Sequence, residues 1–233
     1  MIEFISYASG SSGNLYTISD GKTRILIEMG LPIKKINALL NYDMDDIEYA
    51  LCTHLHQDHS KAIKDIMKMG IDVYSSQGTI DTLGLSGHRI HAVKEQEKFT
   101  IGSWTVIPLD TNHDVIEPFC YLLTNDVNES FLFATDTYYI KYLMPPLFGI
   151  AVECNYSEEL LEQNIASGKT NSYLKNRIQR SHFSLEHLIE FFKANDLSKV
   201  EVVYLIHLSA NNADKKLIKT EIQKAIGKLV VVC

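Results

Sequence analysis

The sequence predicts an α+β fold with four layers, an αββα sandwich in which two mixed β-sheets are flanked by helices. Three observations favour this class. The chain opens with short strand-like segments, both halves mix strand and helix patterns, and an apolar strand at residues 229–232 closes the chain. No internal repeat and no linker rich in Pro, Gly or Ser divides the 233 residues, so we expect a single domain over residues 1–233.

The first third of the chain predicts antiparallel β-strands at the start of the fold. Asp20-Gly21 is a tight-turn signal between two apolar runs, and Pro32 suits the first turn of a helix. The apolar residues of that helix recur at three- and four-residue spacing, which gives one apolar face. The predicted elements of this third are strands at residues 3–8, 14–19, 23–29 and 47–53 and a helix over residues 33–40.

The rest of the chain changes from strands to helices. Residues 61–70 predict a helix that Gly70 ends, and short strands are predicted around Val73, Phe99, Val106, Tyr121 and Phe131. From Ser157 onward the pattern is helical, with one apolar strand at residues 202–206 between the helices.

The amino-acid composition favours a globular protein without a membrane-spanning segment. The hydrophobic fraction is 45% and the charged fraction 22%, and no apolar run approaches the roughly 18 to 20 residues that span a bilayer. The N-terminus has no pattern of an export signal, and the four cysteines form no CxxC pair, so we expect a cytoplasmic protein with reduced thiols and no membrane partner.

The net charge of −7 argues against a broad electropositive surface that would coat nucleic acid. Any such contact must be local. The candidate contact is a basic segment just ahead of His182, formed by Lys169, Lys175, Arg177 and Arg180. The alternative is a solvated helix face with scattered cations, which explains these residues as well.

A histidine-rich segment follows the predicted strand at residues 47–53. His54, His56, Asp58 and His59 place three imidazoles and one carboxylate within six residues, and burying such groups without partners would cost about 1–3 kcal/mol each. In an extended chain His54 and His56 point to the same side and can reach one ion, and a turn at Gln57 would direct Asp58 and His59 to a second. Nitrogen and oxygen donors suit zinc and also admit iron or manganese.

The segment HLHQDH resembles the HxHxDH signature of the metallo-β-lactamase superfamily. The resemblance implies the metallo-β-lactamase fold and two metal ions, with a lone histidine, a bridging aspartate and a final histidine as the remaining ligands. The lone histidine maps on His113, in a polar loop after an apolar strand, and the aspartate maps on Asp136, also at the end of an apolar strand. Without the resemblance, the favoured interpretation is a surface residue for His113 and a helix cap for Asp136.

The final ligand has two candidates, His182 and His207. We predict His207, because it ends the apolar strand at residues 202–206 and is followed by Leu-Ser, similar to the closing histidine of ribonuclease Z-like members. His182 then resembles the second histidine of phosphodiesterase members, which protonates the leaving oxygen, and Glu186 could orient it. A helix cap at Ser184 beside a solvated His182 is the alternative.

Further residues are similar to those of the YycJ (WalJ)-like branch. The SGSSGN loop, with Ser11, Ser12 and Asn14, and Asn211 after the HLS motif are candidate substrate-binding residues, since small residues leave backbone N–H groups to face a phosphate. A flexible turn explains that loop about as well. Glu28 departs from the branch's usual aspartate, and its partner is left open, as is the role of Glu153.

The resemblance implies a dinuclear metal-dependent hydrolase, in which a water bridging two ions has its pKa lowered and attacks as hydroxide. The ions are expected to be zinc, with manganese or iron as options, and Asp58 and His182 are the expected catalytic residues. We favour a phosphodiesterase or nuclease acting on DNA ends, RNA ends or a small diester, with a homodimer as one option for the assembly. The alternatives are a glyoxalase-II-like thioesterase or lactonase and a non-catalytic metal-binding module.

Overall fold

The structure, a computed structural model, describes all residues from 1 to 233. Its strands are β1 (Glu3–Ala8), β2 (Leu15–Ser19), β3 (Arg24–Ile27), β4 (Ile47–Leu51), β5 (Asp72–Ser76), β6 (Ile90–Val93), β7 (Phe99–Ile101), β8 (Trp104–Asp110), β9 (Phe119–Thr124), β10 (Ser130–Ala134), β11 (Gly149–Glu153), β12 (Val202–Ile206) and β13 (Leu229–Val232). Its helices are α1 (Ile33–Leu39), α2 (Gln57–Ser60), α3 (Ile63–Lys68), α4 (Gln77–Thr82), α5 (Glu158–Ala166), α6 (Ser172–Ser181), α7 (Leu185–Ala194) and α8 (Lys215–Ile226).

Two mixed sheets organise these strands. The six-stranded sheet has the order β1-β2-β3-β4-β5-β6, and the seven-stranded sheet has the order β13-β12-β11-β10-β9-β8-β7. Contacts between Cα atoms divide the chain into two compact units: unit 1 is Met1–Asp110 with Val115–Glu129, and unit 2 is Thr111–Asp114 with Ser130–Cys233. The prediction of one domain stays a prediction.

In unit 1, strands β1 to β3 pair antiparallel, and β3 to β6 pair parallel. A buried apolar cluster covers this sheet, with the aliphatic residues of α1 and α3 packed on those of β3 to β5; its fully buried members include Leu26, Ile36, Ala50, Ile66 and Val73. The spacing of Ile63, Ile66 and Met67 predicted this packing face of α3. The parallel order places the carboxyl ends of β3, β4 and β5 at the same edge of the sheet.

In unit 2, strands β10 to β13 form a parallel series. All five residues of β10 and of β11 are buried, as is usual for parallel strands covered on both faces. Because these strands run in one direction, the residues that follow β10, β11 and β12 meet at one edge. Helices α5 to α8 complete the unit.

The predicted αββα class is confirmed, and most predicted elements are present. Strands at residues 3–8, 202–206 and 229–232 have the predicted bounds. Helix α4 and strands β6 and β11 were missed; β11 is a short, continuously apolar run that begins at Gly149, so it shows no alternation. The turn expected at Gln57 is the start of α2, because the carbonyl of His56 accepts from the N–H groups of His59 and Ser60.

Two composition-based expectations concern the thiols and the membrane. All four cysteines are free thiols in the structure. None of the helices combines the length and the apolar character needed to cross a membrane. The predicted cytoplasmic location stays a prediction.

Candidate metal-binding clusters

The first cluster belongs to unit 1 and follows strand β4. His54 and His56 lie in the extended stretch between β4 and α2, and Nε2 of His54 is 3.1 Å from Nδ1 of His56. Two nitrogens that are each about 2.0–2.1 Å from one tetrahedral zinc ion lie about 3.3 Å apart. The two imidazoles therefore have nearly the separation of a ligand pair on one ion.

Asp58 and His59 are carried by the short helix α2. The His59 ring is fully buried, its Nε2 lies 3.4 Å from Oδ2 of Asp58, and its ring centroid is 4.2 Å from that of His54. The Asp58 side chain keeps 24% of its surface exposed. The structure thus brings together all four predicted ligands of this segment, with one carboxylate reachable from solvent.

Glu28, whose partner the sequence left open, is fully buried beside the histidines. Its Oε1 lies 3.3 Å from Nδ1 of His59 and accepts a hydrogen bond from the Thr53 hydroxyl. The Thr53 oxygen in turn lies 2.9 Å from Nδ1 of His54, which can donate to it. A partner that accepts from Nδ1 fixes the tautomer in which Nε2 is the metal-binding nitrogen, so Thr53 orients His54. The Glu28 carboxylate links the two histidines, because it holds the Thr53 hydroxyl and lies beside the His59 ring.

The SGSSGN loop is tied to this cluster through backbone groups. The amide N–H of Asn14 donates to the carbonyl of Asp58 at 2.8 Å, and the N–H of Gly30 donates to the carbonyl of Asn14 at 3.0 Å. The Asn14 side chain is completely buried and places Nδ2 3.2 Å from Nε2 of His59. Ser11 and Ser12 of the same loop are exposed. Asn14 therefore holds the loop against the histidine segment.

Gly30 lies so close to Asp58 that no side chain fits, because a Cβ at Gly30 would come 1.6 Å from the Asp58 carbonyl oxygen. We predict that Gly30→Ala lowers the free energy of unfolding by about 1–3 kcal/mol, the usual range for overpacking. Denaturant unfolding measures this. Gly78→Ala is the matched control, because its Cβ would meet only side-chain atoms, the nearest being Cγ1 of the exposed Ile116 at 2.9 Å. Equal stability of the two variants would contradict this account of the contact.

The second cluster belongs to unit 2 and lies at the carboxyl edge of its parallel strands. Asp136 follows β10, Glu153 ends β11 and His207 follows β12, while His182 lies between α6 and α7. Ligand atoms of these four residues all lie within 4.8 Å of one another. The structure thus brings both candidates for the final ligand, His182 and His207, to the same cluster as Asp136.

Glu153 is the shared hydrogen-bond acceptor of this cluster. Its Oε1 lies 2.6 Å from Nδ1 of His182 and 3.0 Å from Nδ1 of His207. Its Oε2 accepts from the backbone N–H groups of Thr137 and Phe183, both at 3.2 Å. Glu153 is fully buried and orients both imidazoles, so that Nε2 of each is the nitrogen for a metal or a substrate.

The charges of this cluster shift one another's pKa values. Burial alone would raise the pKa of Glu153, but the neighbouring His182 and the hydrogen bonds from both imidazoles hold it below its usual value. Burial alone would lower the pKa of His182, but the Glu153 and Asp136 carboxylates raise it above its usual value. The arrangement therefore favours an ionised Glu153 and a protonated His182.

Glu153 takes the role that the sequence offered to Glu186. The Glu186 carboxylate accepts instead from the backbone N–H of Glu158 at 3.3 Å and so caps the start of α5. The prediction that Glu186 orients His182 was therefore wrong, because the side chain of Glu186 points to another helix. The sequence left the role of Glu153 open, because that role depends on the parallel pairing of β11 with β12.

His113 is held by helix α6 of the same unit. Its Nδ1 donates to the carbonyl of Ser181 at 3.1 Å, which leaves Nε2 as the candidate metal-binding nitrogen. Burial lowers the pKa of His113, and a neutral imidazole is the form that binds metal. The neighbouring Asp114 pairs with Arg177 of α6 at 3.0 Å, so the loop is attached to the helix at two points.

Three residues of the two clusters have left-handed backbone conformations. Their φ angles are 62° for Glu28, 47° for Asp136 and 52° for His207, and each residue follows the end of a strand. Such conformations cost about 1–3 kcal/mol each and concentrate at functional sites. The sharp turn directs each side chain back to the edge of its sheet, a feature that residue type alone does not reveal.

The predicted substrate-binding cations of α6 are partly engaged. Lys175 pairs with Glu162 and Arg177 with Asp114, while Arg180 is exposed. The Asn211 side chain is also exposed, and its backbone carbonyl accepts from Asn164 at 2.8 Å. Their binding of substrate stays a prediction.

The chemistry of the donors fits divalent metal ions. Each cluster combines imidazole nitrogens with carboxylate oxygens, a set that zinc, manganese and iron accept. Burial raises the pKa of the nearby Cys52 and Cys154 thiols well above the usual value. Buried His, Asp and Glu side chains in both units are thus consistent with a metal site.

Comparison with known proteins shows the family of the chain. Residues 23–208 match the family model described as the beta-lactamase superfamily domain. The chain is 30% identical over 227 residues to exodeoxyribonuclease WalJ of Streptococcus pneumoniae strain D39, covering 90% of this chain and 82% of that protein. It is 26% identical to exodeoxyribonuclease YycJ of Bacillus anthracis, covering 97% of this chain and 89% of that protein.

A solved structure supports the fold. The metallo-beta-lactamase fold protein YhfI from Bacillus subtilis superposes with a TM-score of 0.77 at 16% identity, covering 100% of this chain and 96% of that one. At this identity the likeness concerns the fold alone. It agrees with the two mixed sheets described above.

Proposed function

The chain belongs to the metallo-β-lactamase superfamily of metal-dependent hydrolases, and we propose that it is a phosphodiesterase that cleaves DNA ends with two bound divalent metal ions. Zinc is the favoured metal. The proposed metal ligands are the residues that match the ligand pattern of the family: His54, His56, Asp58 and His59 from unit 1 and His113, Asp136 and His207 from unit 2. The two relatives named exodeoxyribonucleases support DNA as the substrate.

When bound, two divalent ions polarise a phosphoryl oxygen and lower the pKa of water, which is the chemistry that hydrolysis of a diester needs. The chain itself must accept a proton from the attacking water, protonate the leaving oxygen and hold the strand. Asp58 suits the first task, because its carboxylate is partly exposed and lies beside His59. We assign it that role in addition to metal binding.

The observation that carries the proposal is the position of His182. Its Nδ1 is 2.6 Å from Glu153 and 3.4 Å from Asp136, so the ring is fixed and Nε2 is left for a reacting oxygen. The Glu153 carboxylate also favours the protonated imidazole, which is the form that donates a proton to an alkoxide. A carbonyl substrate such as a thioester has a better leaving group and needs this donor less.

Cations and backbone groups would hold the strand. Arg180 is exposed, and the exposed ion pairs of Lys175 and Arg177 can open at little cost, since such pairs contribute only about 0–1 kcal/mol. Ser11 and Ser12 are exposed in the loop that Asn14 fixes against His59. These residues are the proposed contacts for phosphate oxygens.

A substrate panel tests the proposal. Purified protein loaded with zinc or manganese would be assayed on 5′-phosphorylated DNA, a bis-aryl phosphodiester, a glutathione thioester and a lactone. We expect cleavage of DNA and of the aryl diester. Turnover of the thioester or the lactone, with neither phosphodiester cleaved, would overturn the proposal and favour a thioesterase or lactonase.

Alanine variants separate the roles of the two candidate histidines. We expect His182→Ala to lose hydrolysis of DNA while it keeps nearly all its metal, because His182 is assigned to the leaving group. His207→Ala should lose metal as well as activity. Elemental analysis beside the activity assay measures both, and the reverse pattern would exchange the two assignments.

A further inference from the structure

A second cleft in unit 2 lies between the segment that follows Asp136 and helix α7. Its volume is about 370 Å³, within the range of about 300–1,000 Å³ typical of small-molecule sites. Its lining includes four aromatic side chains, one lysine and one carboxylate: Tyr138, Tyr139, Tyr142, Phe191, Lys141 and Glu190. We refer to these six residues as the aromatic cleft.

One hydrogen bond joins the two walls of the aromatic cleft, and a second fixes the side chain that makes it. The Asn195 side chain, at the end of α7, accepts from the N–H of Met144 at 2.8 Å and donates to the carbonyl of Phe191 at 2.8 Å. The segment that carries the tyrosines is therefore fixed to the helix that carries Phe191 and Glu190. A preformed cleft binds a ligand without the entropic cost of ordering its walls.

Thr137 joins the tyrosine wall of the aromatic cleft to the second cluster. The Thr137 hydroxyl donates to the carbonyl of Tyr139 at 2.8 Å, and the N–H of Thr137 donates to Glu153 at 3.2 Å. One residue thus separates the tyrosine wall from Asp136, and the carboxylate that orients His182 also holds this connection. A strand with its reacting phosphate at the cluster would therefore have the tyrosine wall of the cleft close to its neighbouring nucleotides.

The lining suits a nucleobase better than a phosphate. Tyr139 is 53% exposed and Phe191 forms part of a buried apolar wall, so a flat apolar face is available to a ring. Glu190 would repel a phosphate but can accept from the exocyclic amino group of a base. Lys141, whose ammonium lies 5.1 Å from the Tyr142 ring centre, can pair with the phosphate at the rim.

We propose that the aromatic cleft takes one unpaired base of the strand being cleaved, which makes an unpaired DNA end the substrate of this protein. The inference rests on the proposed function and adds the state of the substrate strand to it. Base stacking on aromatic side chains is the usual way in which proteins hold single strands without reading sequence. A base within a duplex has both faces covered and would have to leave its stack to enter.

Kinetics on matched oligonucleotides test the inference. Wild type, Tyr139→Ala and Tyr139→Phe would be compared on single-stranded 5′-phosphorylated DNA and on the same strand with abasic positions next to the scissile bond. We expect Tyr139→Ala to raise KM on the intact strand by about 5- to 150-fold, the effect of losing one stacked base. Tyr139→Phe keeps the aromatic ring, so its KM should stay within about twofold of the wild-type value. On the abasic strand, the KM ratio of Tyr139→Ala to wild type should fall towards one.

The outcomes separate the two proposals. If wild type cleaves DNA but Tyr139→Ala has the KM of wild type, or raises KM equally on the abasic strand, the aromatic cleft does not bind a base and the proposed function stands. If wild type cleaves no phosphodiester, both proposals fall. A change from dimer to monomer in Tyr139→Ala without a change in KM would assign the cleft to self-association and would also overturn the inference.

Discussion

Replacement of His54 by alanine is expected to remove metal from the protein and to abolish measurable hydrolysis of phosphodiesters. His54 is 1% exposed, and its Nε2 lies 3.1 Å from Nδ1 of His56, so the change deletes one of two donors placed for the same ion. Loss of a group that merely orients a ligand typically costs about 10- to 100-fold in metal affinity or activity, and loss of the ligand itself should cost more. Elemental analysis and the DNA assay measure the two effects.

His88→Ala is the control for this variant. His88 is an exposed histidine in the loop before β6, outside both clusters, and its replacement should leave metal content and activity within about twofold of wild type. A His54→Ala protein that keeps the metal content and the rate of His88→Ala would contradict the assignment of the histidine segment as a metal ligand set.

Replacement of Glu153 by alanine is expected to have the largest effect on stability. Glu153 is fully buried and accepts from His182, His207, Thr137 and Phe183. Removing one partner of a buried charged pair typically costs about 3–5 kcal/mol, because the remaining partners stay buried without compensation. We expect a loss of that size in the free energy of unfolding, measured by denaturant titration, together with loss of activity.

Two further variants serve as controls for this prediction. Glu153→Gln keeps the shape and one acceptor oxygen but removes the charge, so its loss of stability should be smaller while its activity stays low. Glu201→Ala removes an exposed carboxylate at the start of β12 and should change the free energy of unfolding by no more than about 0.5 kcal/mol. If Glu153→Ala were as stable as Glu201→Ala, Glu153 would not be the shared acceptor described above.

The histidine segment shows how much of the site the sequence could predict. Four metal-binding side chains within six residues have few explanations other than a metal, and their position after an apolar strand predicts a strand end. Asp136 and His207 were assigned through the resemblance to the metallo-β-lactamase superfamily, and the position of each after an apolar run is consistent with that assignment. Residue type and spacing alone predicted the ligands of the histidine segment, and the family's ligand order supplied the others.

The residues that orient the ligands could not be predicted in this way. Glu28 and Glu153 occur singly in apolar stretches, where a carboxylate gives no indication of its partner. Glu153 meets His207 only because β11 and β12 pair in parallel with Glu153 opposite Ile206, and that register is a property of the folded chain. The left-handed backbone at Glu28, Asp136 and His207 is likewise set by the packing around each strand end.

The central proposal is that the chain binds two divalent metal ions through the predicted ligands in its two clusters. The most direct measurement is the metal stoichiometry of the purified protein at saturation, determined by elemental analysis after titration with zinc or manganese. The account predicts two ions per chain in wild type and fewer than two in both His54→Ala and His207→Ala. One ion or none per chain in wild type, or two ions retained in either variant, would contradict it.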